Sequence, residues 1–300
     1  MNMNLYFKIA FLLMSLNTIT YAQKEVSVTA VNKQMSRGMQ PGFQVTIPEG
    51  KLKDVTSAYK KQLEMNTRAD AKNIAGELVN YGVVNKNFSN KPFTVFSKFL
   101  ETPEGVDMTV FVTEDSVHFI RDSDDIDKLT ALKKSIREFA VIEYKKVVSK
   151  KLDLENDKLN HLKKDLDNNI EDESDNIKDI SKKQREIESY TTKIEDNKTE
   201  QNSKLGDINR QQRTVNEISD KASPEYKLSN KILKDYKNDK KSLEKQAEKM
   251  AKSIDDNKAD IKKLEYKNEE LKKLQPGIKE KIDAQDALVK DIEQQLNGIK

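Results

Sequence analysis

From Ser149 to the end of the chain, apolar residues return every seven positions, and this period constrains the fold more than any other feature. One row runs Leu152, Leu159, Leu166, Glu173, Ile180, Ile187, Ile194, Gln201, Ile208, Val215, and a partner row runs Ile170, Ile177, Gln184, Thr191, Lys198, Leu205, Gln212. After KASPEYK a second pair begins, Tyr226, Leu233, Lys240, Ala247, Ile254, Ile261 and Ser229, Tyr236, Leu243, Met250, Asn257, Leu264, and it holds to Ile299. Seven residues is close to two helical turns, so each row stays turned toward a partner helix; sustained heptads predict a coiled coil. Ser223 suits a helix N-cap and Pro224 the first helical position. The chain is therefore expected to reverse near 223–225, with 149–222 antiparallel to 226–299. In that register Val215 is level with Leu233, Ile187 with Ile261, and Thr191 with Asn257.

Pro276 and Gly277 interrupt the second arm. An interior proline costs about 3 kcal/mol and a glycine about 1 kcal/mol, so 275–277 is a joint of some kind. A chain that folded back there would leave Leu152, Leu159 and Leu166 on a lone helix. A chain that passed through would cover them with Leu296, Val289 and Ile282, and each buried Leu contributes about 1.5–3 kcal/mol. The first arm also slips its spacing at the same height, in LDNNIEDESDN (Leu166–Asn176), a stutter that locally unwinds a supercoil. The expectation is a pass-through hairpin about 110 Å long at ~1.5 Å per residue, with the C-terminus back at the base.

The composition agrees: 35% charged, no Cys, no Trp, nine Gly and six Pro in 300 residues, a profile of long helices. Before the rod the pattern changes. Val26, Val28 and Ala30, then Phe43, Val45 and Ile47, alternate as strands do. Leu52, Val55, Tyr59 and Leu63 recur at helical spacing, in a helix expected from about Pro48. Further strands are expected at 74–83, 92–100, 105–112 and 116–121, with turns at TPEG and TEDS. The segment 126–148 carries a stripe (Ile126, Leu129, Leu132, Ile136, Phe139, Ala140, Val147) wider than a two-residue seam needs, so it should lie on the sheet. The fold class predicted is an α+β head, antiparallel sheet with helix, followed by a long antiparallel coiled-coil hairpin. The predicted organisation is 1–22 leader, 23–148 head, 149–300 hairpin.

The leader reading rests on Lys8, the apolar run Ile9–Leu16 and the small residues flanking Tyr21, a secretory pattern with cleavage before Gln23. The apolar run is shorter than the ~20 residues a membrane span needs, so no integral membrane segment is expected after cleavage. Export to a periplasm or beyond follows, without disulfides.

Little chemistry is legible. Cys is absent, and His118 and His161 lie in no ligand spacing. Phosphate-cradling and nucleophile-elbow motifs are missing. The acidic run Asp122, Asp124, Asp125, Asp127 lacks the Gly and Glu of a calcium loop and suits a helix N-terminus. No catalytic residue, cofactor or metal is assigned. The net charge of +3 comes from finely interleaved signs, which argues against nucleic acid. Polar seam residues (Lys198, Gln201, Gln212, Lys240, Asn257, Asn268) fix register at a cost in stability. At the tip, Ile218, Tyr226, Leu228 and Ile232 form a candidate partner-contact patch.

The function expected is a non-enzymatic, exported scaffold or adaptor of a bacterial-type cell envelope that binds protein partners, with a homo-oligomer as one admitted form. An exported small β body with helical tentacles also resembles the Skp/OmpH architecture, which implies a periplasmic holdase chaperone. That likeness is one of shape: no motif matches, and the strands are ordered differently around the hairpin. An enzyme with its site in the head is the remaining alternative.

Overall fold

In Gly105–Thr113, Val106, Met108, Val110 and Val112 all point to one face and are buried, the period-two pattern of a strand with a covered side. The computed structural model describes residues 25–65, 67, 69–85 and 88–300; the predicted leader lies outside them. Six strands form one antiparallel sheet: β1 (Val28–Met35), β2 (Gly38–Pro48), β3 (Lys72–Ile74), β4 (Glu77–Asn85), β5 (Ser89–Thr102) and β6 (Gly105–Thr113), in the order β1-β2-β6-β5-β4-β3. One helix, α1 (Leu52–Met65), follows β2, and two long helices, α2 (Ile126–Glu217) and α3 (Pro224–Gly298), complete the chain.

Several local expectations are corrected. Pro48 ends β2 opposite Gly105 and is not in a helix. The expected strand at 74–83 is a hairpin, β3 and β4, turning on Ala75 and Gly76, both at positive φ, as a tight two-residue turn requires. The turn material expected at SRGMQPG (Ser36–Gly42), between the two alternating stretches, is mostly strand: only Ser36 and Arg37 turn, and Pro41 pairs with Asn32 near the edge of the sheet. The segment 116–121 forms no strand, only a single bridge from Phe119 to Thr113.

The chain divides into two compact units, Met1–Asn160 with Asp283–Lys300, and His161–Ile282. In the first, α1 lays Val55, Tyr59 and Leu63 on the sheet. The start of α2 adds Leu129, Leu132, Ile136, Phe139, Ala140, Tyr144 and Val148 to the same core. Ile126 is 77% exposed instead, ahead of that stripe. The C-terminal turns of α3 enter this core too, through Ile292 and Ile299, with Leu288 and Leu296 beside it. Arg137 ties the residues ahead of β1 to Lys300 there, donating from Nε to the Val26 carbonyl at 3.0 Å and from a terminal nitrogen to the Lys300 oxygen at 2.9 Å. The other sheet face carries a smaller cluster, Met35, Val79, Phe96, Phe111 and Phe119. Gly42 makes room for it: a Cβ there would meet the Phe111 ring at 2.6 Å.

The second unit holds the paired parts of α2 and α3, which reverse over Ile218–Ser223. Ser223 caps α3, its hydroxyl accepting from the Tyr226 amide at 3.1 Å, the bond an N-cap serine makes. Because the loop precedes Pro224, the register differs from the sequence expectation by about one helical turn. Asn176 donates to Asn268 at 2.8 Å, and Lys183 pairs with Asp260 at 2.9 Å. Asn257 meets Glu186 at 3.2 Å rather than Thr191. α3 continues through Pro276 as one helix, so the pass-through reading holds.

Candidate partner-contact surfaces

The seam of the second unit is more polar than its apolar rows suggest. In α3 both expected rows face inward, with Leu233, Leu243 and Asn268 buried. In α2 the expected row through Ile180, Ile187, Ile194 and Val215 also faces inward. Its partner row is displaced by one residue, to Asn176, Lys183, Tyr190, Asn197, Lys204 and Gln211. The reason is that a seam can step three then four or four then three; in this hairpin α2 steps three first. Ile177 and Leu205 consequently lie on an exposed flank, as does Ile170, and Lys198 is exposed while Asn197 is buried. The polar row is satisfied across the hairpin and along α2. Lys204 pairs with Asp239 at 3.2 Å, Gln211 donates to the Ser229 carbonyl at 3.0 Å, and Gln201 donates to Asn197 at 2.6 Å. Satisfied buried amides specify one register and add little net stability.

At the reversal, Ile218 lies in the loop and Tyr226 and Ile232 in the first turns of α3, all three half-buried. Leu228 is 61% exposed. Ala222 and Ser223 are held by Asp220, whose carboxylate accepts the Ala222 amide at 2.8 Å and whose carbonyl accepts the Ser223 hydroxyl.

A groove of about 410 Å³ lies farther along the hairpin, lined by Asp172, Asp175 and Asn176 of α2 and by Tyr266, Lys267, Glu270, Leu271 and Leu274 of α3. Tyr266 is 66% and Leu274 57% exposed. Sequence periodicity missed this site because Leu274 stands one column outside the seam. The signal available was the recurrence of Lys267, Leu274 and Lys281 at seven-residue spacing.

In the first unit, the residues between β6 and α2 form a polar loop against the smaller cluster. Asp115 accepts from the amides of Val117 and His118, at 2.9 and 2.7 Å, and lies 2.6 Å from His118 Nδ1. The His118 ring, followed by these amides, holds the Asp115 carboxyl well below the usual carboxylate range. His118 is thus an exposed loop residue and not a strand residue. The acidic run caps α2. Asp125 accepts the Asp127 amide at 2.9 Å, Asp124 accepts the Arg121 amide at 2.8 Å, and Asp122 pairs with Lys133. His161 is exposed in the second unit.

Two buried polar groups of the first unit serve packing. Tyr59 stacks edge-on to Phe139 and Phe99, and burial pushes its phenol up to about 12. Glu77, 1% exposed, accepts from the Ser36 amide and hydroxyl, both at 2.7 Å, and so pins the β1–β2 turn to β4. Among the described residues, no three His, Asp or Glu side chains stand together as metal ligands, and no helix is long and apolar enough to cross a membrane. Compared with known proteins, the chain matches no protein-family model and no curated protein sequence.

Proposed function

We propose that the protein is an exported, non-enzymatic coiled-coil scaffold whose helical hairpin engages protein partners. One observation carries the reading: the hairpin spends most of its apolar side chains on its own seam and holds its register with paired polar groups, leaving only isolated apolar residues outside. That is the profile of a positioned contact arm. A holdase needs continuous apolar surface for unfolded clients, and in the second unit the large exposed apolar residues are Ile170, Ile177, Leu205, Leu228, Tyr266 and Leu274, spread over two helices and the tip.

Two measurements test this. A photo-crosslinking residue at Leu228 in the native cell should give one discrete adduct, absent when the residue is placed at exposed Lys241. The purified chain should also fail to keep a urea-denatured outer-membrane barrel protein soluble. Protection of that client at stoichiometric amounts would replace the scaffold with the holdase. The export component is read separately: the N-terminus of the protein from its own cell should begin at Gln23 and lie outside the cytoplasm.

A further inference from the structure

In the first part of α3 acids and bases alternate along the sequence, yet the helix sorts them onto different sides. Steps of four and three residues from Lys227 follow one ridge of the helix, through Lys231, Lys234, Asn238, Lys241, Lys245 and Glu248 to Lys252. All eight residues are exposed, on the side turned away from the buried seam residues Leu233 and Leu243. The six lysines make no ion pair with any described residue. Nearby acids are engaged on the flanks of the seam instead: Asp239 pairs with Lys204 at 3.2 Å, and Glu244 pairs with Lys240. Glu248 on the ridge and Asp235 one column aside are the acids that remain there. The ridge is about 37 Å long at ~1.5 Å per residue. Beyond Lys252 it continues as Asp255, Ala259, Lys262, Tyr266 and Glu269, and the excess of base ends. Across the hairpin, the outward side of α2 carries Asn202, Ser203, Asn209 and Asn216, with Arg213 offset by Glu217.

We propose that this lysine ridge is the face on which the hairpin lies against an anionic phospholipid surface. A straight row of mobile ammonium groups suits a plane of phosphates, which asks for charge and not for shape, and each lysine held close to such a surface adds to the attraction. Protein interfaces have aromatic and Arg anchors and few lysines at their centre, whereas the ridge from Lys227 to Lys252 holds neither an Arg nor an aromatic residue. Nucleic-acid recognition also favours the planar, bidentate Arg, and the preference for lipid over nucleic acid rests further on the export reading given above. No apolar residue stands in the ridge, so the attachment is electrostatic, reversible and set by salt.

The test sediments the full mature chain with vesicles. The wild type should bind vesicles of equal parts phosphatidylglycerol and phosphatidylcholine, leave them as salt is raised from about 0.15 M to about 1 M, and ignore phosphatidylcholine alone. Lys231→Glu/Lys234→Glu/Lys241→Glu should weaken the partition at least about tenfold while helicity by circular dichroism stays at the wild-type value. Lys231→Gln/Lys234→Gln/Lys241→Gln, which only neutralises the ridge, should weaken it in the same direction. Lys267→Glu/Lys279→Glu/Lys281→Glu makes an equal charge change away from the ridge and should bind as the wild type does. A wild type that fails to bind the anionic vesicles overturns the proposal, whether or not it retains duplex DNA instead. So does a ridge variant that binds as well as the wild type, or an off-ridge variant weakened as much as the ridge variant. Vesicle binding is read on the purified chain, so its failure is separate from a failure of the export reading, which the N-terminal residue in the cell decides.

Discussion

Gln295 donates a 2.8 Å hydrogen bond from Nε2 to the hydroxyl of Tyr144, joining residues 151 positions apart inside the core of the first unit. Tyr144 is fully buried, which raises its phenol pKa, and the Gln295 carbonyl oxygen beside it has no partner. Tyr144→Phe therefore strands a buried amide and should cost about 1–3 kcal/mol. Replacing both partners with apolar groups, Tyr144→Phe with Gln295→Met, should recover most of the loss. Urea titrations of the single and double variants decide it: a double variant no more stable than the single one would show that the bond is incidental.

Two glycines should answer opposite ways to the same change. Gly105 has φ +143°, and a Cβ there would lie 2.2 Å from the Ile47 carbonyl oxygen. Gly105→Ala should destabilise by at least about 1–3 kcal/mol, the scale of a strained backbone position. Gly277 lies in α3 with nothing within 4 Å of its would-be Cβ, so Gly277→Ala should stabilise by up to ~1 kcal/mol through helix propensity. Melting temperatures shifting in the same direction would contradict this account of the joint.

Acid should loosen the loop between Thr113 and Phe119. A carboxyl depressed in the folded state stabilises fully above its ordinary pKa near 4 and loses that contribution as pH falls toward the folded value. Asp115 is such a group, through its bonds to His118 and Val117. As pH falls from about 5 to 2, urea titrations should show the stability advantage of the wild type over Asp115→Asn shrinking. An advantage that is absent at about pH 5, or that stays constant down to about pH 2, would remove Asp115 as the organiser of the loop.

Much of this was legible in the residues. Leu129 through Tyr144 announced a helix wide enough to cover a sheet, and the rows from Leu233 to Ile261 announced α3, because a period of seven is hard to produce otherwise. What stayed hidden depended on partners distant in sequence. The one-residue displacement that buries Asn176 and exposes Ile177 follows from how two helices pack, and an isoleucine reads as core in either place. Ile292 and Ile299 read as ordinary seam residues, yet they complete the core under Tyr144. Phe119 looked like a strand residue because its alternation is real; it packs on the sheet from a loop. The candidate groove escaped because Leu274 counts as surface by period and becomes notable only beside exposed Tyr266.

The passage of α3 through Pro276 and its return to the core beside α2 is the claim on which the rest depends. The chain has no native cysteine, so thiols can be placed at Lys150 and Asp291, both exposed and both in the first unit. Spin labels there should give one narrow distance distribution at about 20–30 Å, from helix axes ~8–10 Å apart plus the two label linkers. A broad distribution, or one centred well beyond that range, would mean that α3 turns away at Pro276 and that the core closes without it.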